Sequence, residues 1–336
     1  MKKNILTKEQ INKKTKGQYF TINNPFEHKA FKKWYETYVG FDEIILEPFA
    51  GSNHIPYLCK KINIINNWHC FDIEPQDVNL TPEFDITFQD TIKDFPNGYN
   101  TVITNPPYLA KVSASRLKLE YPDTHYEDLY MLCLDKMLTN CENVAVIIPE
   151  SFITSGYFID RLYCVISLNF PMFDDTDCPV CLALFTKNGA ENNCFEIYVG
   201  DTLISTYCDL KTFSLKEYEN YYKKWKFNDP QGNIGVKCVD NQSKDDIYFH
   251  HGDKIEPSKI KISSRAFSRI SGLPIDINID EFILTCNNII NEYRNNTKDV
   301  FMTSFKGLRK DGVYRRRIDF KTLRCIMNYA LKKLSK

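Results

Sequence analysis

Between about residues 41 and 190, short β-type runs alternate with helical segments. That alternation constrains the fold more than anything else in the chain. Glu43-Ile44-Ile45-Leu46 reads as a first strand and Trp68 to Asp72 as a second, joined by a helix over Ile55 to Asn63. Phe84 to Phe88 and Thr101 to Thr104 read as the third and fourth. Glu127 to Leu138 carries apolar residues at 129, 132, 133, 134, 137 and 138, a helical spacing. Val144 to Ile148 is a fifth strand, and Leu168-Asn169-Phe170 with Val180 to Phe185 reads as a closing pair. Alternation of this kind predicts an α/β fold built on a doubly wound, mostly parallel, seven-stranded Rossmann-like sheet.

Beyond about residue 190 the periodicity weakens. Tyr218 to Lys226 suggests a helix, Asn228 to Asn233 a turn, and Ile279 to Arg294 is the best helical segment. The expected organisation is a catalytic domain over 1–190 and a smaller, less regular region over 191–336.

Composition narrows the class. With 336 residues, 43% hydrophobic and 14% aromatic, the chain has ample material for a packed core. Its apolar runs, such as Val144 to Ile148, are too short to span a bilayer, and the lysine-bearing N-terminus lacks a secretory apolar segment. A soluble, cytoplasmic protein of bacterial or viral origin is expected. The 12 cysteines are scattered, and the lone Cys178-Pro179-Val180-Cys181 has no second pair, so reduced thiols are expected rather than a metal site. Basic and acidic residues balance at 43 each, but unevenly. The last 36 residues hold eleven Lys/Arg against Asp311 and Asp319, interleaved with Phe301, Phe305, Tyr314, Phe320 and Tyr329. Basic residues mixed with aromatics suit a phosphate-bearing partner.

The residues that carry chemistry stand at the ends of the expected strands. Glu47-Pro48-Phe49-Ala50-Gly51-Ser52-Asn53 follows the first strand, where a doubly wound sheet binds its ligands. Its single glycine disfavours a pyrophosphate site, and its carboxylate suits a cationic ligand. Asp72 ends the second strand, the position of an acid that accepts ribose hydroxyls. Asp90, followed by Thr91, comes after the third and can meet an adenine amino group. Asn105-Pro106-Pro107-Tyr108 follows the fourth and presents an amide, a donor-free backbone and an aromatic ring. Such groups can hold an exocyclic amino group while its nitrogen is attacked.

With these residues in place, the chain resembles the S-adenosylmethionine-dependent DNA adenine-N6 methyltransferases, over about residues 15 to 190. Gly17-Gln18-Tyr19-Phe20-Thr21 resembles the family's N-terminal motif, which implies that Tyr19, Phe20 and Thr21 cap the methionine part of the cofactor. Glu47 to Asn53 resembles the cofactor loop, with Glu for Asp, Phe49 inserted and Asn53 for the last Gly. The resemblance implies that Glu47, Pro48, Ala50, Gly51, Asn53, Asp72, Ile73, Asp90, Thr91, Asn105 and Pro107 line the cofactor site. It further implies that Asn105, Pro106, Pro107 and Tyr108 are catalytic, and that Tyr108 and Phe173 stack on an extruded base. The motif order resembles the gamma arrangement of stand-alone type II modification enzymes, which places the target-recognition region last. Arg309, Lys310, Arg315, Arg316 and Arg317 are then the expected DNA contacts. The implied cofactor is S-adenosylmethionine, leaving as S-adenosylhomocysteine, with no metal. The implied partners are double-stranded DNA and a cognate restriction endonuclease on a separate chain, with no membrane. Two rivals stand beside this reading: a methyltransferase for protein glutamine or RNA, and a non-catalytic DNA-binding specificity subunit.

Overall fold

A computed structural model describes residues 23–74, 76, 78–168, 170, 172, 178–310 and 314–335, the side chains of 306 and 308 excepted. The chain divides into two compact units, one of Met1–Phe152 with Gly156–Ile204 and one of Ile153–Ser155 with Ser205–Lys336. The expected motif at Gly17 to Thr21 and the aromatic Phe173 lie outside the described residues.

The first unit is an α/β structure around a mostly parallel sheet. Its strands are β1 (Ile45–Glu47), β2 (Trp68–Asp72), β3 (Ile86–Phe88), β4 (Thr101–Thr104), β5 (Asn143–Pro149), β6 (Leu162–Ser167), β7 (Val180–Phe185), β8 (Glu196–Val199) and β9 (Thr202–Thr206). They lie in the order β3-β2-β1-β4-β5-β7-β6-β8-β9, so the described sheet has nine strands where seven were expected. β8 and β9 add a ribbon beyond β6, beginning with the parallel pairing of Cys164 with Glu196. They escape a sequence reading because their residues are mostly half-exposed and carry no continuous apolar run. The closing strand is also displaced. It is Leu162–Ser167, and Leu168 only follows its end.

The central strands read as near-continuous apolar runs because both of their faces are buried. All six residues of β7 and the first six of β5 are buried. The helix Lys29–Tyr38 lays Phe31 and Trp34 onto this core, and the Trp34 indole N–H donates to the Phe185 carbonyl at 3.1 Å. Burying side chains of this size contributes roughly 1.5–3 kcal/mol each. β1 pairs in parallel with β2 on one side and β4 on the other. The strand order reverses there, which brings the carboxyl ends of β1 and β4 side by side, the usual ligand crevice of such sheets.

The second unit holds an antiparallel sheet in the order β10-β13-β11-β12, built from β10 (Lys226–Phe227), β11 (Ile234–Lys237), β12 (Tyr248–His251) and β13 (Phe267–Ser271). A hairpin of β14 (Thr303–Leu308) and β15 (Tyr314–Arg317) and the helices Ile279–Thr297 and Phe320–Leu334 complete it. Phe282, Cys286, Ile289, Ile290 and Tyr293 give the first helix its buried stripe, and Leu323, Ile326, Met327, Ala330 and Leu331 give the second its own. Asn278 and Asp319 cap their N-termini through side-chain oxygens, each cap contributing about 1 kcal/mol. The helix expected over Tyr218 to Lys226 does not form. A short 3₁₀ turn, Lys216–Tyr218, stands at its start. Local propensity loses to tertiary bonds: the Tyr222 hydroxyl donates to the Gly272 carbonyl at 2.6 Å, and the Trp225 indole to Asn328 Oδ1 at 2.7 Å.

Candidate active site

Glu47 ends β1 and is wholly buried. Its Oε1 accepts from the Phe49 N–H at 2.9 Å and from the Thr104 hydroxyl at 2.5 Å. Its Oε2 is buried and has no hydrogen-bond partner among the described residues. Burial pushes the carboxyl up to about 8, against the opposing pull of Thr104 and the Phe49 N–H and with a small further push from Asp72. Burial therefore favours the protonated form of this acid. Thr104 is itself fully buried at the end of β4, one residue before Asn105. Nothing in the sequence marked it except a hydroxyl in a strand otherwise free to be apolar.

The loop after β1 turns tightly. Gly51 has a φ of 54° and Asn53 a φ of 59°, the left-handed region that Gly and Asn tolerate best. The Ala50 N–H donates to the Phe71 carbonyl at 2.9 Å, and the Gly51 N–H donates to Asp72 Oδ2 at 2.8 Å. Asp72 Oδ1 accepts from the Glu74 N–H at 2.7 Å. Each Asp72 oxygen keeps acceptor capacity after these bonds, as a diol-binding acid requires. Asn53 is wholly buried and donates to Asn79 Oδ1 and to the Phe84 carbonyl, both at 3.0 Å. It therefore ties the loop to the segment before β3. Thr91 is buried, and its hydroxyl donates to the Pro48 carbonyl at 2.8 Å, holding the loop from a third side. Asp90 caps its own turn, accepting from the Ile92 and Lys93 N–H groups at 3.2 Å and pairing with Lys93 Nζ at 3.1 Å. Ile73 is exposed at the rim.

Asn105 to Tyr108 leaves β4 beside this loop. Pro106 is buried, and Asn105, Pro107 and Tyr108 are half-buried. The Tyr108 hydroxyl lies 2.7 Å from Asn105 Oδ1 and 2.7 Å from the Ile147 carbonyl. One hydroxyl proton serves one of these acceptors at a time. The ring meets Tyr130 edge-on at 6.2 Å, so its plane is set from two directions. One further buried acid stands on the same side of the sheet and went unnoticed in the sequence. Glu150, just past β5, accepts from the Ser167 hydroxyl at 2.5 Å.

The five basic residues expected to meet DNA all lie in the second unit, and most are engaged within it. Arg309 pairs with Asp245. The Arg315 guanidinium donates twice to the Asp240 carbonyl, at 2.9 and 2.8 Å, and lies 4.9 Å over the Phe305 ring. Arg316 is buried and donates to Ser304 Oγ at 2.6 Å. Arg317 is half-buried, and Lys310 is exposed.

Ten cysteines are free thiols, and burial raises the pKa of nine of them, whereas Cys194 and Cys208 are disulfide-bonded, against the expectation of reduced thiols. Among the described residues, no group of three or more His, Cys, Asp or Glu could hold a metal ion, and no helix is long and apolar enough to cross a membrane.

Residues 53–165 match the model of a family described as Eco57I restriction-modification methylase. Comparison with curated proteins gives no match. Among solved structures, the chain is similar to a putative class I S-adenosylmethionine-dependent methyltransferase from Listeria monocytogenes, with 12% identity, TM-score 0.36, and 50% of this chain and 62% of that one covered. It is similar to a type I restriction-modification methyltransferase subunit from Streptococcus thermophilus, with 15% identity, TM-score 0.40, and coverage of 56% and 50%. It is also similar to the type IIG restriction endonuclease BpuSI, with 15% identity, TM-score 0.39, and coverage of 56% and 28%. The chain thus spans less than two thirds of the length of each of these proteins. The family match takes in Asn53, Asp72, Asp90 and the whole of Asn105 to Tyr108.

Proposed function

We propose that the chain methylates the N6 amino group of adenine in duplex DNA, using S-adenosylmethionine, as part of a restriction-modification system. The observation that carries this reading is the position of Asn105 to Tyr108, at the carboxyl end of β4, next to the Thr104 that bonds to Glu47 at the end of β1. The cofactor supplies an electrophilic methyl group on a sulfonium leaving group. The protein's task is positioning and charge placement.

The residues fit that cofactor. The buried, unpartnered Glu47 Oε2 suits the ammonium of its methionine part. Asp72 suits its ribose hydroxyls, and Asp90 with Thr91 frames its adenine. The adenine amino group of the substrate is a weak nucleophile and is buried in the duplex, so the base must leave the stack at a cost of a few kcal/mol. Asn105 Oδ1 and the Pro106 carbonyl then accept its two N–H bonds and favour a pyramidal nitrogen. Pro107, with its fixed φ, holds the Pro106 carbonyl inward. Tyr108 stacks on the extruded base, with Phe173 a candidate for its other face. Asn105 Oδ1 sits within reach of the Tyr108 hydroxyl, which can donate instead to Ile147 and so release it. The second unit, with Lys310 and the Arg315 to Arg317 strand, is the proposed DNA-contacting region, and a nuclease acting at the same site is the proposed partner.

The test offers duplex DNA, RNA and denatured protein to the chain with methyl-labelled cofactor. Label in DNA alone is expected, falling at least about 100-fold in Asn105→Ala. Label in RNA or protein alone would transfer the same site chemistry to the rival substrates, and full activity of Asn105→Ala would end the mechanism.

A further inference from the structure

The contact between Glu47 and Thr104 joins the two halves of the proposed site and has no role in the chemistry so far described. Both side chains are wholly buried, and the Thr104 hydroxyl donates to Oε1 at 2.5 Å. Oε1 also accepts the Phe49 N–H, so it behaves as the carbonyl oxygen of an acid. Oε2 is buried with no hydrogen-bond partner among the described residues, which leaves it as the oxygen to carry the proton of a neutral acid. An unpaired, uncompensated carboxylate in such a place is costly. The neighbouring titratable groups give it no positive charge. They are Asp72 and Cys70 on β2 and Cys59 on the helix His54–Lys60, all acidic in character.

We propose that Glu47 and Thr104 form one positioning unit: a cationic cofactor group arriving at Oε2 displaces the Glu47 proton to solvent, and Thr104 passes the resulting tighter hydrogen bond to the end of β4, which carries Asn105. The inference rests on the methyltransferase reading above. The balance is simple. Glu47 goes from acid to carboxylate, one proton leaves to bulk water, and the ligand's positive charge replaces it. Thr104 keeps its own proton and donates it to Oε1 in both states. A hydrogen bond to a carboxylate is shorter and roughly twice as strong as one to a neutral acid, so cofactor loading firms the hold on the strand end next to the reacting amide. The elevated affinity of Glu47 for its proton, held to about 8 by burial, agrees with this geometry.

The test is calorimetric titration of the full chain with S-adenosylhomocysteine at pH 7, in two buffers of different ionisation enthalpy. A carboxyl raised by burial predicts release of most of a proton per bound ligand. Glu47→Gln removes that release, which separates it from protons of the ligand's own amino group. Thr104→Val is expected to lower kcat about tenfold with a smaller change in cofactor affinity, and to move the pH midpoint of that affinity upward, because a bond that favours the carboxylate is gone. Thr104→Ser restores both. Binding with the same proton count in the parent and in Glu47→Gln overturns the coupling. So does a Thr104→Val protein with unchanged kcat and pH midpoint. Absence of any binding by the folded protein between pH 6 and 10 (roughly the span across which the acid titrates) overturns the cofactor reading itself, and the coupling with it.

Discussion

Two fully buried carboxyl groups, one in each unit, are treated in opposite ways. Asp240 in the second unit is surrounded by donors. Arg294 meets it with two bonds of 2.8 and 2.9 Å, and the Asp246 and Arg316 N–H groups add two more, at 2.8 and 3.1 Å. Burial pushes Asp240 up, but Arg294 and those N–H groups outweigh it and leave the group below the usual carboxylate range. Arg294 itself is shared with Asp245 and Asp299. Glu47 in the first unit receives two neutral donors on one oxygen and none on the other among the described residues. A carboxylate whose charge is fully met by the chain is part of the architecture. One whose charge is left unmet is poised for something the chain does not contain.

That contrast can be broken most directly at Arg294. Arg294→Met removes the bidentate cation from buried Asp240, leaving only Arg309 at 4.0 Å, and should cost about 3–5 kcal/mol, read as a lowered denaturant midpoint. The pH dependence carries the same sign. The folded-state affinity of Asp240 for a proton is lowered, so its contribution is present above the unfolded-state pKa and is lost as pH falls through the folded one. A denaturation midpoint that falls in acid for the parent should fall less for Arg294→Met.

Glu47→Gln should behave the other way. The folded-state value is raised to about 8, so the neutral acid's contribution is complete below the unfolded-state pKa and is lost as pH rises through 8. Cofactor-free parent protein should therefore lose thermal stability as pH rises from 4.5 to about 8, and Glu47→Gln should not show this loss. The same substitution should weaken cofactor binding about 100-fold, or ~2.7 kcal/mol, since it removes a hydrogen bond to a charged group. A stability loss comparable to that of Arg294→Met would erase the distinction between the two acids.

Asp72 stands between these cases, with both oxygens bonded to backbone N–H groups and spare acceptor capacity. Asp72→Asn should weaken cofactor binding about tenfold, ~1.4 kcal/mol, with little loss of fold, measurable by fluorescence titration. The smallest effect belongs to Lys310→Ala. As an exposed residue it should change stability by less than about 0.5 kcal/mol, and it should reduce the salt slope of DNA binding by about 1.

The same contrast explains what could be read from the letters. The α/β class, the strands from β1 to β5 and the acids at their ends were legible, because buried parallel strands are continuous apolar runs and their loops carry unusual residues. β8 and β9 were not, because half-exposed edge strands lack that signal. The basic C-terminal segment suggested phosphate contact. The groups that occupy Arg309 and Arg315, the Asp245 carboxylate and the Asp240 backbone carbonyl, lie 64 and 75 residues away, a pairing that no local pattern displays. Thr104 was hidden for a related reason. A threonine in a strand is ordinary, and only the meeting of β1 and β4 gives its hydroxyl a partner.

The most direct measurement is nucleoside analysis by mass spectrometry of duplex DNA incubated with the chain and S-adenosylmethionine. The account predicts N6-methyladenine, at a limited set of sequence contexts, and its loss with Asn105→Ala. DNA free of N6-methyladenine, from protein that binds the cofactor and transfers its methyl group to RNA or protein, would contradict it.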